Sequence, residues 1–256
     1  MSPATGLTAL VLAGTRPGGD PLARQNGVTH KALLPIGGVS MLERVVTALR
    51  AVPQVARVVI ATDRADLLQQ LPAGEKPVSL LQAGKGPSAS VALALQSLGA
   101  PLLVTTADHA LLQPEWVQEF LSADAGEADA LVALARREAV MRAAPGTLRT
   151  WLRFADGDYS GCNLFLLRTM AALNIVALWQ QLEAARKRPL TLLRRLGLSY
   201  VLRYRLGWLR LDAALGRLGK LCGARLCPVI LSDGRAAIDV DKPEDLELVR
   251  QLVAPR

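Results

Sequence analysis

Two cationic residues, Arg16 and Lys31, lie within and just after a glycine-rich loop that follows an apolar run near the start of the chain. Glycines directly after a buried strand let backbone N–H groups approach phosphate oxygens. The two cations can then neutralise a polyphosphate from either side. The loop has neither the spacing of a Walker P-loop nor that of a dinucleotide-binding fingerprint. The alternative is a surface loop with two solvated cations.

Carboxylates follow two later apolar runs. Asp108 comes at the end of a predicted strand, where an aspartate is costly to bury unless it has a partner. Mg²⁺ is a natural partner, because it binds one or two carboxylates together with phosphates; the alternative is a cap on the next turn. Asp239 and Asp241 are two residues apart and lie on one face if the segment is extended. Asp241 could instead cap the final helix.

A glycine- and serine-rich segment precedes a helix that we predict over residues 88–98. Backbone N–H groups and hydroxyls at a helix N-terminus can bind a base and a ribose. A plain helix cap is the alternative for the serines. The candidate residues are Gln82, Gly86, Ser88 and Ser90.

Strands and helices must alternate to position these residues. The hydrophobic periodicity predicts strands over 7–13, 55–61, 78–81 and 101–106, and helices over 41–51, 64–71, 88–98 and 114–121. Ser40 is a suitable N-cap for the helix over 41–51. Such alternation is typical of a parallel sheet covered on both faces, in which ligands bind beyond the carboxyl ends of the strands.

The alternation stops after residue 128. We predict further strands over 131–135, 148–154, 163–167, 225–231 and 236–240, and a closing helix over 243–252. A basic, helical insert covers about 169–223. We expect one domain over residues 1–256.

Composition excludes several classes of protein. The chain has 256 residues, of which 51% are hydrophobic and 20% charged, so it is not disordered. Three cysteines and two histidines exclude a zinc ribbon and a disulfide scaffold. We expect free, buried thiols and a cytoplasmic protein, since the sequence shows neither a signal peptide nor a membrane-spanning run.

The basic charge is concentrated in one segment. The net charge is +8, and residues 186–225 contain eleven basic residues but a single acid, Asp212. One interpretation is a solvated arginine face on helices packed against the sheet. The other is attraction to a phosphorylated acceptor or peripheral contact with an anionic membrane. Aromatic residues are only 4%, so we expect no nucleic acid partner.

The order of these motifs resembles the MobA-like NTP transferases, a nucleotidyltransferase family with a GT-A-like fold. The matching segments are Leu12-Ala13-Gly14 with Arg16, His30-Lys31, Gly37 to Leu42, Leu102 to Leu112 and Ala237 to Leu246. The resemblance implies an α/β, Rossmann-like, three-layer α/β/α fold with a mostly parallel sheet and a mixed C-terminal extension. Gly14 to Asp20 departs from the family pattern, which leaves the role of Asp20 open.

The resemblance also implies roles for individual residues. Arg16 and Lys31 are the catalytic residues and hold the triphosphate. Asp108 and Asp241 bind Mg²⁺, with Asp239 as the alternative to Asp241. Gly161 and Asn163 hold the acceptor; Asn163 could also be a structural strand-edge residue. The nucleotide-binding residues are Leu12, Ala13, Gly14, Thr15, Arg16, Lys31, Gln82, Gly86, Ser88 and Ser90.

The activity implied is attack of an acceptor phosphate on the α-phosphorus of a nucleoside triphosphate, with release of pyrophosphate and no general base. CTP is favoured as donor because Ser88-Ala-Ser90-Val91 is similar to the matching segment of cytidylyltransferases. Two other classes stay open. One is a GT-A glycosyltransferase with a nucleotide-sugar donor, and the other is a non-catalytic nucleotide- or lipid-binding protein.

Overall fold

Eight of the strands in the described residues form one twisted sheet. The computed structural model describes residues 6–15, 18–184 and 197–254. The strands are β1 (Leu7–Leu12), β2 (Pro35–Ile36), β3 (Val39–Ser40), β4 (Val55–Thr62), β5 (Val78–Gln82), β6 (Leu102–Thr106), β7 (Ala130–Arg136), β8 (Leu152–Phe154), β9 (Gly157–Leu167) and β10 (Leu226–Leu231). β2 and β3 form a separate hairpin.

Helices connect these strands. They are α1 (Pro21–Gln25), α2 (Met41–Ala51), α3 (Pro87–Leu98), α4 (Pro114–Leu121), α5 (Arg137–Ala143), α6 (Ala172–Ala184), α7 (Leu198–Arg205), α8 (Leu211–Cys222) and α9 (Pro243–Val253). Short 3₁₀ segments occupy Lys31–Leu33, Ala65–Gln70 and Gly234–Ala237. The N-cap predicted for α2 is correct, since Ser40 Oγ accepts the Glu43 N–H at 3.2 Å.

The sheet has the order β10-β7-β9-β6-β1-β4-β5, with β8 added beside β9. β1 pairs in parallel with β4 and β6, and β10 pairs in parallel with β7. β9 is antiparallel to both β6 and β7. The predicted fold class is therefore confirmed: a mostly parallel sheet carries a mixed extension after the first four parallel strands.

Side chains of β1 alternate between two cores, one on each face of the sheet. Ala9 and Val11 pack with the apolar faces of α2, α4 and α9. Leu10 packs on the opposite face with α3 and α6. Helices cover both faces of the sheet at its central strands. A ligand can therefore reach these strands only at their ends.

The structure corrects several local predictions. The predicted loop over 14–30 contains the helix α1, capped by Asp20, whose carboxylate accepts the Leu22 N–H at 2.9 Å. Of the cysteines, only Cys162 is buried; Cys222 and Cys227 are partly exposed, so the prediction of buried thiols is wrong for those two.

The predicted strand over 236–240 is also wrong. Gly234 begins a 3₁₀ turn packed so tightly on α5 that an added Cβ would lie 2.2 Å from the Ala139 carbonyl carbon. The chain then passes the end of β6, where the Val240 N–H donates to the Asp108 carbonyl at 3.1 Å. The segment therefore lies across the strand ends.

None of the helices in residues 6–15, 18–184 and 197–254 is long and apolar enough to span a membrane.

Candidate active site

Lys31 begins a single 3₁₀ turn just below the carboxyl end of β1. His30 caps this turn, its Nδ1 accepting the Ala32 N–H at 3.1 Å. The buried imidazole fixes the backbone here, and burial lowers the pKa of His30 despite the nearby carboxylates of Asp63 and Asp20. The Lys31 side chain is only 12% exposed and points across the strand ends.

The Lys31 ammonium bridges two carboxylates that are 133 positions apart in the sequence (241 − 108). Its Nζ donates to Asp108 Oδ2 at 2.7 Å and to Asp241 Oδ1 at 2.7 Å. Burial by itself would lower the pKa of Lys31. The charge of Asp108 and the hydrogen bonds to both carboxylates outweigh it, so the pKa is raised above 10.5. Lys31 is therefore a permanent cation at neutral pH.

Asp108 and Asp241, both in contact with Lys31, are the residues that could contribute to a divalent-cation site. Asp108 Oδ1 is buried and has no hydrogen-bond partner among the described residues. The pKa of Asp239 is raised by burial and by the charges of Asp108 and Asp241, against the opposing effect of Arg149. Mg²⁺ is usually bound by one or two carboxylates together with waters and substrate phosphates. No cluster of three or more His, Cys, Asp or Glu side chains in the described ranges could by itself hold a metal ion.

Asp63, at the end of β4, is a site residue that the sequence analysis missed. Its Oδ1 accepts the Thr15 N–H at 2.9 Å and the Thr15 hydroxyl at 2.7 Å. Burial would raise the pKa of Asp63, but these hydrogen bonds lower it below 3.8. Asp63 thereby holds the loop after β1. The rule that drew attention to Asp108, an aspartate ending a buried strand, would also have found it.

The segment between β5 and α3 is closed by hydrogen bonds of its own. Ser90 Oγ accepts the Gly84 N–H at 3.0 Å and donates to the Gly86 carbonyl at 3.0 Å. Ser88 is buried, and its hydroxyl donates to the Glu183 carboxylate at the end of α6. Both serine hydroxyls are thus used within the chain, whereas Gln82 is exposed at the end of β5.

Asn163 lies in a β-bulge. β9 is out of register with β7 between Val132 and Leu134, and Asn163 has φ +46°, unusual for a residue other than glycine. The bulge directs the amide towards the late segment, where Nδ2 donates to Asp239 Oδ2 at 2.7 Å. The Asp239 carboxylate also pairs with Arg149. Asp239 is therefore occupied by structural partners, while Asp241 faces Lys31.

Arg149 and Asp245 form the support beneath Asp241, and the sequence analysis singled out neither of them. Asp245 Oδ2 accepts the backbone N–H groups of Asp241 at 3.1 Å and Lys242 at 3.0 Å. The other Asp245 oxygen pairs with Arg149, whose side chain is 7% exposed. Lys242, rather than Asp241, is the N-cap of α9. The backbone capping role considered for Asp241 is thus carried out by Asp245.

Two clefts meet at the Lys31 bridge. The first cleft has a volume of about 110 Å³ and is lined by the loop after β1, by Lys31 and by Asp108. The second cleft has a volume of about 320 Å³ and is lined by Gly161, Asn163, Asp239 and Asp241 among others. Lys31 and Asp108 thus border one cleft and Asp241 the other.

The predicted residues divide between these clefts. Leu12, Ala13, Gly14 and Thr15 line the first cleft with Lys31, and Gly161 and Asn163 line the second. Gln82, Gly86, Ser88 and Ser90 line neither of the two. Arg16 lies outside the described residues. The roles of all these residues stay predictions.

Comparison with known proteins identifies the family. The MobA-like NTP transferase domain matches residues 9–205 of this chain. The chain belongs to the MobA-like NTP transferase family. A search of curated proteins returned no match.

Solved structures agree with this membership. A hypothetical transferase from Thermus thermophilus is 31% identical, with a TM-score of 0.80 over 94% of this chain and 99% of that chain. CMP:2-keto-3-deoxy-manno-octonic acid synthetase in complex with CTP is 16% identical, with a TM-score of 0.57 and coverage of 97% and 98%. 4-Diphosphocytidyl-2C-methyl-D-erythritol synthase from Anaerococcus prevotii is 9% identical, with a TM-score of 0.60 and coverage of 96% and 97%. The last two share the fold with this MobA-like chain.

Proposed function

We propose that this MobA-like protein joins the nucleoside monophosphate part of a nucleoside triphosphate to a phosphorylated small molecule. The observation that carries the proposal is the Lys31 bridge to Asp108 and Asp241 at the junction of two clefts. A donor triphosphate in the first cleft and an acceptor phosphate in the second would meet beside the same cation. Such a meeting point is what an in-line transfer between two anions requires.

In the proposed reaction, an acceptor phosphate oxygen forms a bond to the α-phosphorus of the donor. The bond from the α-phosphorus to the bridging oxygen breaks, and pyrophosphate leaves with the electron pair. No proton has to be removed, because the acceptor phosphate is already ionised. His109 does not supply a base, because its side chain is buried and its pKa, lowered to about 4 by burial, makes it a weak proton acceptor.

The protein would contribute charge and position. Lys31 would stabilise negative charge as it develops on the phosphates, and Arg16 is proposed to do so from the loop after β1. Asp108 and Asp241 would hold Mg²⁺, which when bound supplies positive charge between phosphate oxygens. Asp63 would keep the Thr15 backbone in place through its two hydrogen bonds. We propose CTP as the first donor to test. The Ser88 to Val91 segment is similar to the matching segment of cytidylyltransferases, and the names of two structural neighbours contain a cytidine nucleotide.

Thermal unfolding with CTP, GTP, UTP and ATP, each with and without Mg²⁺, tests donor binding. A triphosphate at about 100 times its Kd adds about 2.7 kcal/mol of stability, which for a chain of this size raises Tm by about 5–11 °C. A shift that is selective for one triphosphate and depends on Mg²⁺ supports the proposal. A shift with a nucleotide-sugar alone would favour the glycosyltransferase.

Variants test the chemistry with the selected donor and a panel of phosphorylated acceptors. We expect Lys31→Ala and Asp108→Asn each to lower kcat/KM for pyrophosphate release by at least about 100-fold, as the loss of one charge-stabilising group does elsewhere. Lys220→Ala and Asp212→Asn, at exposed positions on α8, are the matched controls. Full activity in Lys31→Ala would refute the assignment. Triphosphate binding without pyrophosphate release on any acceptor would favour the non-catalytic alternative.

A further inference from the structure

Helix α7 carries apolar side chains on two opposite sides. Its inner side, with Tyr200, Val201 and Tyr204, closes an apolar groove of about 400 Å³ against β8 and α8. The Tyr204 ring packs edge-on against Phe154, with centroids 5.5 Å apart. The inner side therefore accounts for the packing of the helix, and apolar residues on the outer side have no such role.

The outer side exposes large apolar side chains. Leu198 is 74% exposed, Leu202 54% and Leu206 48%, and Trp208, just beyond the helix, is 67% exposed. The three leucines are spaced four residues apart, which places them on one face of a helix. A surface helix of a globular protein normally has a polar outer face, so this stripe is a candidate contact surface.

Arginines flank the stripe on both sides. At about 100° per residue, the order around α7 is Arg205, Leu198, Leu202, Leu206 and Arg203. Both arginines are exposed, and neither has an acidic partner within the described ranges. Apolar side chains between two cations are the pattern of a helix that lies in the interface of an anionic bilayer.

We propose that this α7 face (Leu198, Leu202, Leu206, Trp208, Arg203 and Arg205) docks onto an anionic lipid bilayer. The leucines and Trp208 would enter the boundary between headgroups and acyl chains, and the two arginines would contact lipid phosphates. Charge complementarity selects this occupant. In a symmetric contact between two copies the same patch faces itself, so unpartnered arginines would meet arginines.

The inner side of α7 is connected to the second cleft. Leu152 lines both the second cleft and the apolar groove under α7. Leu148, also on the second cleft, is 85% exposed. Leu152 thus connects the groove on the inner side of α7 to the rim of the cleft that we assign to the acceptor.

Sedimentation of the purified full-length protein with vesicles tests the proposal. We expect binding to phosphatidylcholine vesicles that contain phosphatidylglycerol, and much weaker binding to phosphatidylcholine alone. Arg203→Gln/Arg205→Gln should weaken the former about thirtyfold, since each basic residue near an anionic surface contributes about fivefold. Leu202→Ser/Trp208→Ser should weaken it at least tenfold. Wild-type emission, but not that of Trp208→Phe, should shift to the blue on binding.

Leu93→Ser is the matched control, because Leu93 is a 43% exposed leucine on another helix, α3. It should bind vesicles as the wild type does, and all variants should keep the wild-type Tm. Equal binding to both vesicle types, or binding unchanged in the α7 variants, would overturn the proposal. So would a wild-type dimer that Leu202→Ser/Trp208→Ser converts to a monomer without lipid.

Discussion

At the residue scale, two cations in the candidate site each join a pair of carboxylates. Lys31 joins Asp108 and Asp241, and Arg149 joins Asp239 and Asp245. The first bridge lies where the clefts meet, so its ammonium can exchange carboxylates for phosphates. The second is more deeply buried and holds the backbone beneath Asp241. One bridge is suited to chemistry and the other to support.

Replacing Arg149 with methionine tests this supporting role. The change leaves Asp239 and Asp245, whose side chains are 23% and 11% exposed, without their shared cation. Breaking a buried ion pair in this way costs about 3–5 kcal/mol, so we expect the free energy of unfolding at pH 7 to fall by that amount. Urea unfolding measures it. Arg142→Met, at an exposed position on α5, should change stability by less than about 0.5 kcal/mol.

We also expect the deficit of Arg149→Met, meaning its loss of unfolding free energy relative to the wild type, to depend on pH. Burial and the charges of Asp108 and Asp241 already raise the pKa of Asp239 above 3.8, and Arg149 opposes them. Without Arg149 the folded pKa rises further. Between 3.8 and the folded pKa the folded state binds more protons than the unfolded state, so stability falls as the pH rises. The deficit should therefore grow with pH between the folded pKa of Asp239 in the wild type and its higher folded pKa in Arg149→Met. A deficit that stays constant would contradict the assignment.

At the element scale, close backbone contacts set the positions of the loops. An added Cβ at Gly234 would lie 2.2 Å from the backbone of Ala139 on α5, whereas at Gly216, within α8, it would meet nothing within 4 Å. Gly234→Ala should therefore lower the free energy of unfolding by about 3 kcal/mol or more. Gly216→Ala should raise it by about 0.5–1 kcal/mol through helix propensity. Thermal unfolding of both variants measures these changes. Equal changes in the free energy of unfolding would contradict the tight packing of Gly234 on α5.

Local signals predicted the elements that depend on local sequence. The start of α2 follows from its Ser40 cap and the start of α4 from its N-terminal proline, and each helix has one apolar face. The strand predicted over 236–240 failed because its apolar residues are buried against α5 and the end of β6, contacts that periodicity does not encode. β9 begins at Gly157, six residues earlier than predicted, since its first half pairs with β7 and β8.

Residues of the candidate site were predictable where their own position in the sequence indicates a function. Asp108 and Lys31 stood out because each follows a strand or a glycine-rich loop. Asp63 carries the same signal as Asp108 and was missed, whereas Arg149 follows no buried strand and its partner Asp239 is 90 residues away. A single sequence shows which charges need a partner, but the fold decides which partner they have.

At the scale of the whole molecule, stability should be uneven along the chain. β1 is hydrogen-bonded on both edges, with Leu10 fully buried, whereas α7 has no buried residue. We expect amides at the centre of β1 to exchange only on global unfolding and those of α7 at least about 100-fold faster. Native-state hydrogen exchange measures both. If the amides of α7 exchanged as slowly as those of β1, the two elements would unfold together as one cooperative unit.

The antiparallel direction of β9 has a consequence for how new specificities can arise. Its first half lies at the edge of the sheet where β6 and β7 end, so Ser160, Gly161 and Asn163 line the second cleft. The remaining walls of this cleft come from residues 148–152 and 237–245. The first cleft is built from loops between residues 12 and 32, with Met41, Ala107 and Asp108. The two clefts share no lining residue. Substitutions at the β9 positions that line the second cleft should therefore leave the walls of the first cleft unchanged.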